Sequence, residues 1–137
     1  MKSSFIKIAT KGVQGLTPYQ PGKPVEELER ELGITDSIKL ASNENPLGPS
    51  ENVQEVLKQH LHGLHLYPDG GGFRLREKLA QFHKVTANAI TLGNGSNDVL
   101  ELIARAFLTE KDSAIYSEFA FAVYPIVVQA IGAKAQI

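Results

Sequence analysis

The spacing of apolar positions predicts a chain of helices and short strands, with its clearest signal after Asn97. From there apolar residues recur three and four positions apart, as on one face of a helix. They are Val99, Leu100, Ile103, Ala104, Phe107 and Leu108. A short apolar run at residues 90–92 and a Gly-Asn-Gly turn precede this helix. We expect Ser96 or Asn97 to be its N-cap, because such side chains accept hydrogen bonds from first-turn amides.

Helix-starting and helix-stopping residues predict further helices. Pro24 and Gly33 bracket a helix over Val25–Leu32, and Ser50 is placed to cap the next one. A helix through Pro125 ends at Gly132, since proline is tolerated in a first turn and glycine favours a C-terminal stop.

A further helix is predicted after the glycine run at residues 70–72. Its apolar positions place three side chains inward and its basic positions place three outward. The inward set is Leu75, Leu79 and Phe82, and the outward set is Arg74, Arg76 and Lys78.

Short apolar runs between these helices predict strands at residues 38–41, 114–116 and 133–137. Alternating helices and strands favour an α/β fold with parallel pairing. Glycines and prolines interrupt residues 1–24, which we expect to form an arm rather than a core element.

Composition narrows the class of protein. The chain has 137 residues, enough for one domain, with 42% hydrophobic and 21% charged residues, which is typical of a soluble globular protein. The net charge of -1 gives no electrostatic reason to expect nucleic acid or a membrane surface as a partner. No cysteine is present, which excludes disulfides and thiolate metal sites and fits a cytoplasmic location. We find neither a membrane-spanning run nor a signal peptide.

The Gly93-Asn94-Gly95 turn before the long helix has a geometry that suits a phosphate, because helix N-termini present unpaired N–H groups and a positive dipole end. The sequence matches neither the P-loop pattern nor the three-glycine dinucleotide fingerprint. A plain turn with no ligand is the alternative. Asp98 and Glu101 would repel a phosphate if their carboxylates pointed at it.

Two other polar clusters have structural explanations. Residues 42–49 form a loop rich in Ser, Asn and Pro, whose side chains commonly bond their own backbone in turns, although a ligand-binding role is the alternative. His60, His62 and His65 lack the spacing of a helical metal pair and have no completing carboxylate. We therefore predict no metal site.

Five segments, in order, resemble the N-terminal part of the histidinol-phosphate aminotransferases, pyridoxal-phosphate enzymes of the aspartate-aminotransferase fold (fold type I). The segments are Pro18-Tyr19-Gln20-Pro21-Gly22-Lys23-Pro24, Leu40-Ala41-Ser42-Asn43-Glu44-Asn45-Pro46-Leu47-Gly48, Tyr67-Pro68-Asp69-Gly70-Gly71, Gly93-Asn94-Gly95-Ser96-Asn97 and Phe121-Ala122-Val123-Tyr124. The resemblance implies an N-terminal arm and small-domain segment at residues 1–45 and the start of the cofactor-binding large domain at residues 46–137.

The resemblance also implies roles for seven residues. Gly95, Ser96 and Asn97 would hold the phosphate of pyridoxal 5'-phosphate, and an aromatic side chain would stack on its pyridine ring. A tyrosine would reach the cofactor of the neighbouring subunit in a homodimer, and two residues would face the small-molecule substrate. The aromatic is Phe121, the tyrosine is Tyr67, and the substrate-side residues are Tyr19 and Asn45.

The resemblance implies transfer of an amino group between glutamate and imidazole-acetol phosphate in histidine biosynthesis. Members of the family are much longer, and their Schiff-base lysine lies in a Ser-Lys segment that none of the ten lysines here matches. We therefore expect this chain to be a truncated fragment, inactive by itself. Exposed sheet edges would favour association or poor solubility. A decarboxylase of the threonine-phosphate type and a non-catalytic module that binds a phosphorylated ligand are the alternative functions.

Overall fold

The computed structural model describes residues 4–137, which divide into two compact units. The first unit combines the chain up to Tyr19 with Gly72–Ile137, and the second is Gln20–Gly71. The structure contains six α-helices and two strands in the part that it describes, together with 3-10 turns at Ser4–Ile8, Leu61–Gly63 and Ala87–Ala89. The helices are α1 (Lys11–Gln14), α2 (Val25–Leu32), α3 (Glu51–His60), α4 (Phe73–His83), α5 (Ser96–Phe107) and α6 (Val123–Ile131), and the strands are β1 (Ser113–Ile115) and β2 (Lys134–Gln136).

The core of the first unit lies where α5 meets α6. Ala104, Val123 and Val127 are buried there, and partly buried residues of the same two helices and the following loop pack around them. These are Leu100, Leu108 and Ile131. Ala104 and Leu100 from the predicted apolar face of α5 therefore pack in this core, whereas Phe107 of the same face is exposed.

β1, α6 and β2 form a parallel strand–helix–strand unit. Ser113 pairs with Lys134 and Ile115 with Gln136, in parallel register. Pro125 is the third residue of α6, where its missing N–H costs no helical hydrogen bond. Gly132 ends the helix with φ of 86°, a left-handed conformation that favours glycine. The parallel pairing confirms the predicted α/β class.

In the second unit, the predicted helix boundaries are confirmed. α2 begins after Pro24 and ends at Gly33, whose φ is 65°. The hydroxyl of Ser50 accepts a hydrogen bond from the Val53 N–H and caps α3. Glu29 of α2 accepts hydrogen bonds from the N–H and the hydroxyl of Ser37, which holds the chain after the helix against it.

One strand prediction is wrong. Residues 38–41 form no strand, because within the second unit no strand lies beside them to provide backbone partners. Residues 1–24 include one short helix, α1, which has four residues and none buried, so the prediction of an arm stays a prediction. Its Gly12 lies directly against the backbone of α6, so the glycine allows close packing there rather than breaking the structure.

The predicted faces of α4 are also wrong in part. Ala80 is its buried residue, whereas Phe82 is 79% exposed. Arg76 is partly buried, and its Nη2 donates a hydrogen bond to the Ala87 carbonyl at 2.8 Å. The guanidinium therefore joins α4 to the following 3-10 turn instead of facing solvent.

Candidate functional site

The turn that leads into α5 depends on two glycines. Gly95 has φ of 84° and ψ of 175°, a conformation that other residues rarely adopt. A Cβ at Gly93 would lie 2.8 Å from Val99 Cγ2 and 2.9 Å from Asp98 Oδ2, so only glycine fits without a shift. A hydrogen bond from the Gly95 N–H to the Gly93 carbonyl, at 2.9 Å, closes the turn.

The N-cap of α5 is Gly95, so the prediction of Ser96 or Asn97 as the cap is wrong. Both are helical residues of the first turn, and no side chain caps the helix. The N–H groups in the first turn of a helix have no backbone acceptor within that helix. In the described part of the chain, the N–H groups of Ser96, Asn97 and Asp98 therefore have no backbone acceptor. Gly93 through Asn97 are exposed, so these donors and the positive end of the helix dipole are accessible to an anion.

The carboxylate of Asp98 is bonded to the turn. Its Oδ2 accepts a hydrogen bond from the Asn94 N–H at 2.9 Å. Glu101, one turn further along α5, forms an ion pair with Arg105 in which Nη2 and Oε1 are 2.7 Å apart. Each carboxylate thus has its own partner, and the expected repulsion of a phosphate stays a prediction.

A cleft of about 600 Å³ opens beside this helix start. Asn97, Asp98 and Glu101 line it on the α5 side, and apolar residues that include Val123 and Val127 line it on the α6 side. Residues 16–19 form a further wall that includes Tyr19.

Two aromatic rings meet at this position. The ring of Tyr19 contacts the ring of Phe121 edge-on, with centroids 5.5 Å apart and an interplanar angle of 67°. Both rings are about half exposed, at 46% and 47%. The structure therefore brings Tyr19 together with Asn97 in the cleft and with Phe121 through the ring contact. A cleft lined by a first-turn residue and by an aromatic side chain fits a ligand that carries an anionic group on a planar ring.

Asn45 and Tyr67 belong to the second unit. The side-chain amide of Asn45 forms two hydrogen bonds within its own turn. Its Nδ2 donates to the Gly48 carbonyl at 2.8 Å, and its Oδ1 accepts from the Leu47 N–H at 3.1 Å. These bonds agree with the turn-forming explanation of this loop. Tyr67 is fully exposed. The ligand-binding roles implied for both residues stay predictions.

Sequence reasoning missed the role of Asp98 in this turn and, away from it, the contact that Arg76 makes. For Asp98, charge alone predicts a favourable interaction with the helix dipole or repulsion of a phosphate, although an acid three residues after a helix cap commonly reaches back to a loop amide. Arg76 was placed at the surface, and its buried Nε has no hydrogen-bond partner among the described residues. The position of Asp98 in the first turn was a usable signal, whereas the partner of Arg76 depends on the path of the chain after α4.

Neither a metal site nor a membrane span is found in the described residues. Within residues 4–137 no group of three or more His, Asp or Glu side chains is placed to hold a metal ion. None of the helices there is long and apolar enough to cross a bilayer.

Comparisons with known proteins identify related sequences. Residues 35–137 match the family model described as aminotransferase class I and II. Histidinol-phosphate aminotransferase 2 of Methylococcus capsulatus is 60% identical over 130 residues, which are 95% of this chain and 35% of that protein. The protein of the same name from Pseudomonas aeruginosa is 56% identical over 134 residues, 96% of this chain and 36% of its own length.

A solved structure shares the fold. The crystal structure of histidinol-phosphate aminotransferase from Sinorhizobium meliloti in complex with pyridoxal-5'-phosphate gives a TM-score of 0.78 over 93% of this chain and 33% of that one, with 22% sequence identity. The chain thus spans about a third of the length of these relatives. The likeness confirms the predicted fold, of which the described residues form one part.

Proposed function

This chain belongs to the aminotransferase class I and II family, and from that premise we propose that it supplies part of the active site of a histidinol-phosphate aminotransferase. Such an enzyme moves an amino group between glutamate and imidazole-acetol phosphate with pyridoxal 5'-phosphate. The observation that carries the proposal is the uncapped start of α5, where Asn97 lines a cleft together with Tyr19, whose ring contacts Phe121. The names of relatives more than half identical to this chain support the substrate.

In this proposal the first turn of α5 binds the cofactor phosphate. The amides of Ser96 and Asn97 donate to its oxygens, the Ser96 hydroxyl adds a further donor, and Gly95 lets the backbone come close. Phe121 stacks on the pyridine ring and orients it. Bound pyridoxal 5'-phosphate supplies the electron sink for the chemistry at the substrate.

The remaining assigned residues are proposed to bind substrate and to complete the site across a dimer. Tyr19 and Asn45 would contact the substrate, and Tyr67 of the partner subunit would reach the cofactor phosphate. We expect a cytoplasmic homodimer in which each subunit completes the cofactor site of the other. None of the ten lysines has the Ser-Lys context expected for the nucleophile, so we expect these 137 residues alone to bind phosphates without turnover.

Binding of pyridoxine 5'-phosphate to the 137-residue chain tests the proposed cofactor site. This probe has no aldehyde and cannot react with surface lysines, so it reports the phosphate and ring contacts only. We expect the amide resonances of Ser96 and Asn97 to shift on titration, and an excess of inorganic phosphate to displace the probe and move them to their positions with phosphate alone. Pyridoxine without the phosphate should leave them in place. Shifts confined to lysine-rich surface would contradict the proposal.

Substitution of Phe121 separates ring stacking from phosphate binding. Phe121→Ala should weaken pyridoxine 5'-phosphate binding about fivefold, since an aromatic contact contributes about 1 kcal/mol, and should leave the affinity for inorganic phosphate unchanged. Phe119→Ala is the matched control, because Phe119 lies two residues away and is 91% exposed. Equal losses in both variants would contradict a specific stacking role.

An assay of the complete gene product tests the reaction. We expect 2-oxoglutarate to form from glutamate only when imidazole-acetol phosphate and pyridoxal 5'-phosphate are both present. Release of CO₂ from a phosphorylated amino acid, without consumption of glutamate, would instead identify a decarboxylase.

A further inference from the structure

We infer that Asp98 is a positioning residue, whose carboxylate holds the Asn94 N–H so that the first-turn amides of α5 keep a fixed arrangement for an anion. The inference rests on the proposed phosphate site and adds a residue to it. It starts from the hydrogen bond of 2.9 Å between Asn94 N and Asp98 Oδ2.

The arrangement is half of a capping box. In the complete motif, the N-cap side chain bonds an amide of the first turn while the third helical residue bonds back to the cap. Here the third helical residue, Asp98, bonds back to the loop, but the cap is Gly95 and has no side chain. The loop is therefore fastened to the helix, and the helix amides remain free to bind a ligand.

The turn needs this fastening because two of its three residues are glycines. Glycine loses more conformational freedom on ordering than any other residue. The positive φ of Gly95 and the short turn bond from Gly95 to Gly93 have to be maintained against that loss. Asp98 also packs its Oδ2 so closely on Gly93 that a Cβ there would lie 2.9 Å from it.

A positioning role and a purely electrostatic role predict opposite orders of affinity. Asp98 lies next to the proposed anion site, so if its charge alone mattered, Asp98→Ala and Asp98→Asn would both bind phosphate more tightly. If its acceptor matters, Asp98→Asn keeps an oxygen for the Asn94 N–H, whereas Asp98→Ala removes it. Rescue by asparagine is therefore the distinguishing result.

The experiment measures two quantities on the 137-residue chain at constant ionic strength. Titration with inorganic phosphate, followed at the Ser96 and Asn97 amides, should give about tenfold weaker binding for Asp98→Ala, the loss expected for one hydrogen bond to a charged group. Asp98→Asn should bind at least as tightly as the unsubstituted chain. Hydrogen exchange of the Asn94 amide should be about tenfold faster in Asp98→Ala and near normal in Asp98→Asn.

Asp112→Ala is the matched control. Asp112 accepts a hydrogen bond of the same kind, from the Thr109 N–H at 2.8 Å, at the far end of α5. This variant should speed exchange at Thr109 and leave phosphate binding unchanged. If Asp98→Ala does not fold, the unsubstituted chain still tests the hydrogen bond. We expect a through-bond NMR coupling between the Asn94 nitrogen and the Asp98 carboxyl carbon.

Several results would overturn the inference. Unchanged or tighter phosphate binding by Asp98→Ala would do so while leaving the proposed function intact, as would the absence of the coupling. If the unsubstituted chain binds no phosphate at Ser96 and Asn97, the proposed function fails, and the inference fails with it.

Discussion

Asp98 and Asp112 use their carboxylates in the same way at opposite ends of α5. Each accepts a hydrogen bond from the backbone N–H of a loop residue, Asn94 in one case and Thr109 in the other. Asp112 also accepts from the Thr109 hydroxyl, with Oγ1 and Oδ2 2.6 Å apart. Acceptors of this type fix loops that have few buried side chains of their own.

The hydroxyl and then the N–H of Thr109 lower the pKa of the Asp112 carboxyl below its ordinary value of 3.8. Because the folded pKa is lowered, the charged form favours the folded loop above the unfolded pKa, and this contribution disappears as the pH falls through the folded pKa. Carbon NMR titration of the carboxyl should show the low midpoint. Thr109→Val should raise it and Thr109→Ser should keep it low; equal midpoints in the two variants would contradict the role of the hydroxyl.

At the scale of elements, helix ends were easier to predict than helix faces or strands. Pro24, Gly33, Ser50 and Gly132 each act through their own backbone or a residue three positions away, so local sequence was sufficient. The Asn94 contact of Asp98 and the Ala87 contact of Arg76 depend on where a loop passes, which periodicity does not encode.

Strands and the short helix α1 depend on distant neighbours. Residues 38–41 have strand-like composition, but a strand requires a partner that sequence pattern cannot supply. α1 is four residues long, too short to be stable alone, and lies against α6. Gln129 Nε2 donates to the Gly12 carbonyl at 3.4 Å across this contact.

Substitution of Gly12 tests the contact between α1 and α6. A Cβ at Gly12 would lie 2.2 Å from the Gln129 carbonyl oxygen and 2.8 Å from that of Ala130, and both are backbone atoms. Gly12→Ala should therefore lower the free energy of unfolding by about 1–3 kcal/mol, as overpacking does, in urea or thermal unfolding. Gly15→Ala is the control, since its nearest neighbour is Gln129 Nε2 at 3.8 Å. Similar stabilities for the two variants would mean that α1 does not pack as described.

At the scale of the whole chain, the resemblance predicted the family, which the family model confirms, and the fold, which the solved structure confirms. The proposed division at residue 45 stays a prediction. Composition and periodicity alone gave only the α/β class, because a glycine turn before a helix occurs in many folds. The order of the five short segments along the chain was what predicted the family.

The first unit leaves much apolar surface uncovered. A groove of about 260 Å³ lies between α5, α6 and β1, and Phe107 and Ile115 on its wall are 77% and 82% exposed. The sheet has two strands in the described residues, so each has an outer edge without a backbone partner.

We expect the 137-residue chain to self-associate as its concentration rises, since exposed edges and apolar surface both favour it. Sedimentation velocity over a concentration series measures the effect. The double variant Phe107→Lys, Ile115→Lys should shift the distribution toward monomer. Asn88→Lys adds positive charge at an exposed position outside the groove and should not. A monomer at every concentration without substitution would contradict the prediction.

Because the N-cap of α5 is a glycine, binding of an anion at the first turn would also order the start of the helix. A helix that begins without a side-chain cap frays at that end, and an anion from solution can complete it. By mass action, any ligand that binds only the intact first turn protects it from unfolding in proportion to its concentration. Under the proposed function, a shortage of the phosphorylated ligand would leave the segment before α5 looser and more easily proteolysed, so that the supply of this ligand would set the lifetime of the polypeptide.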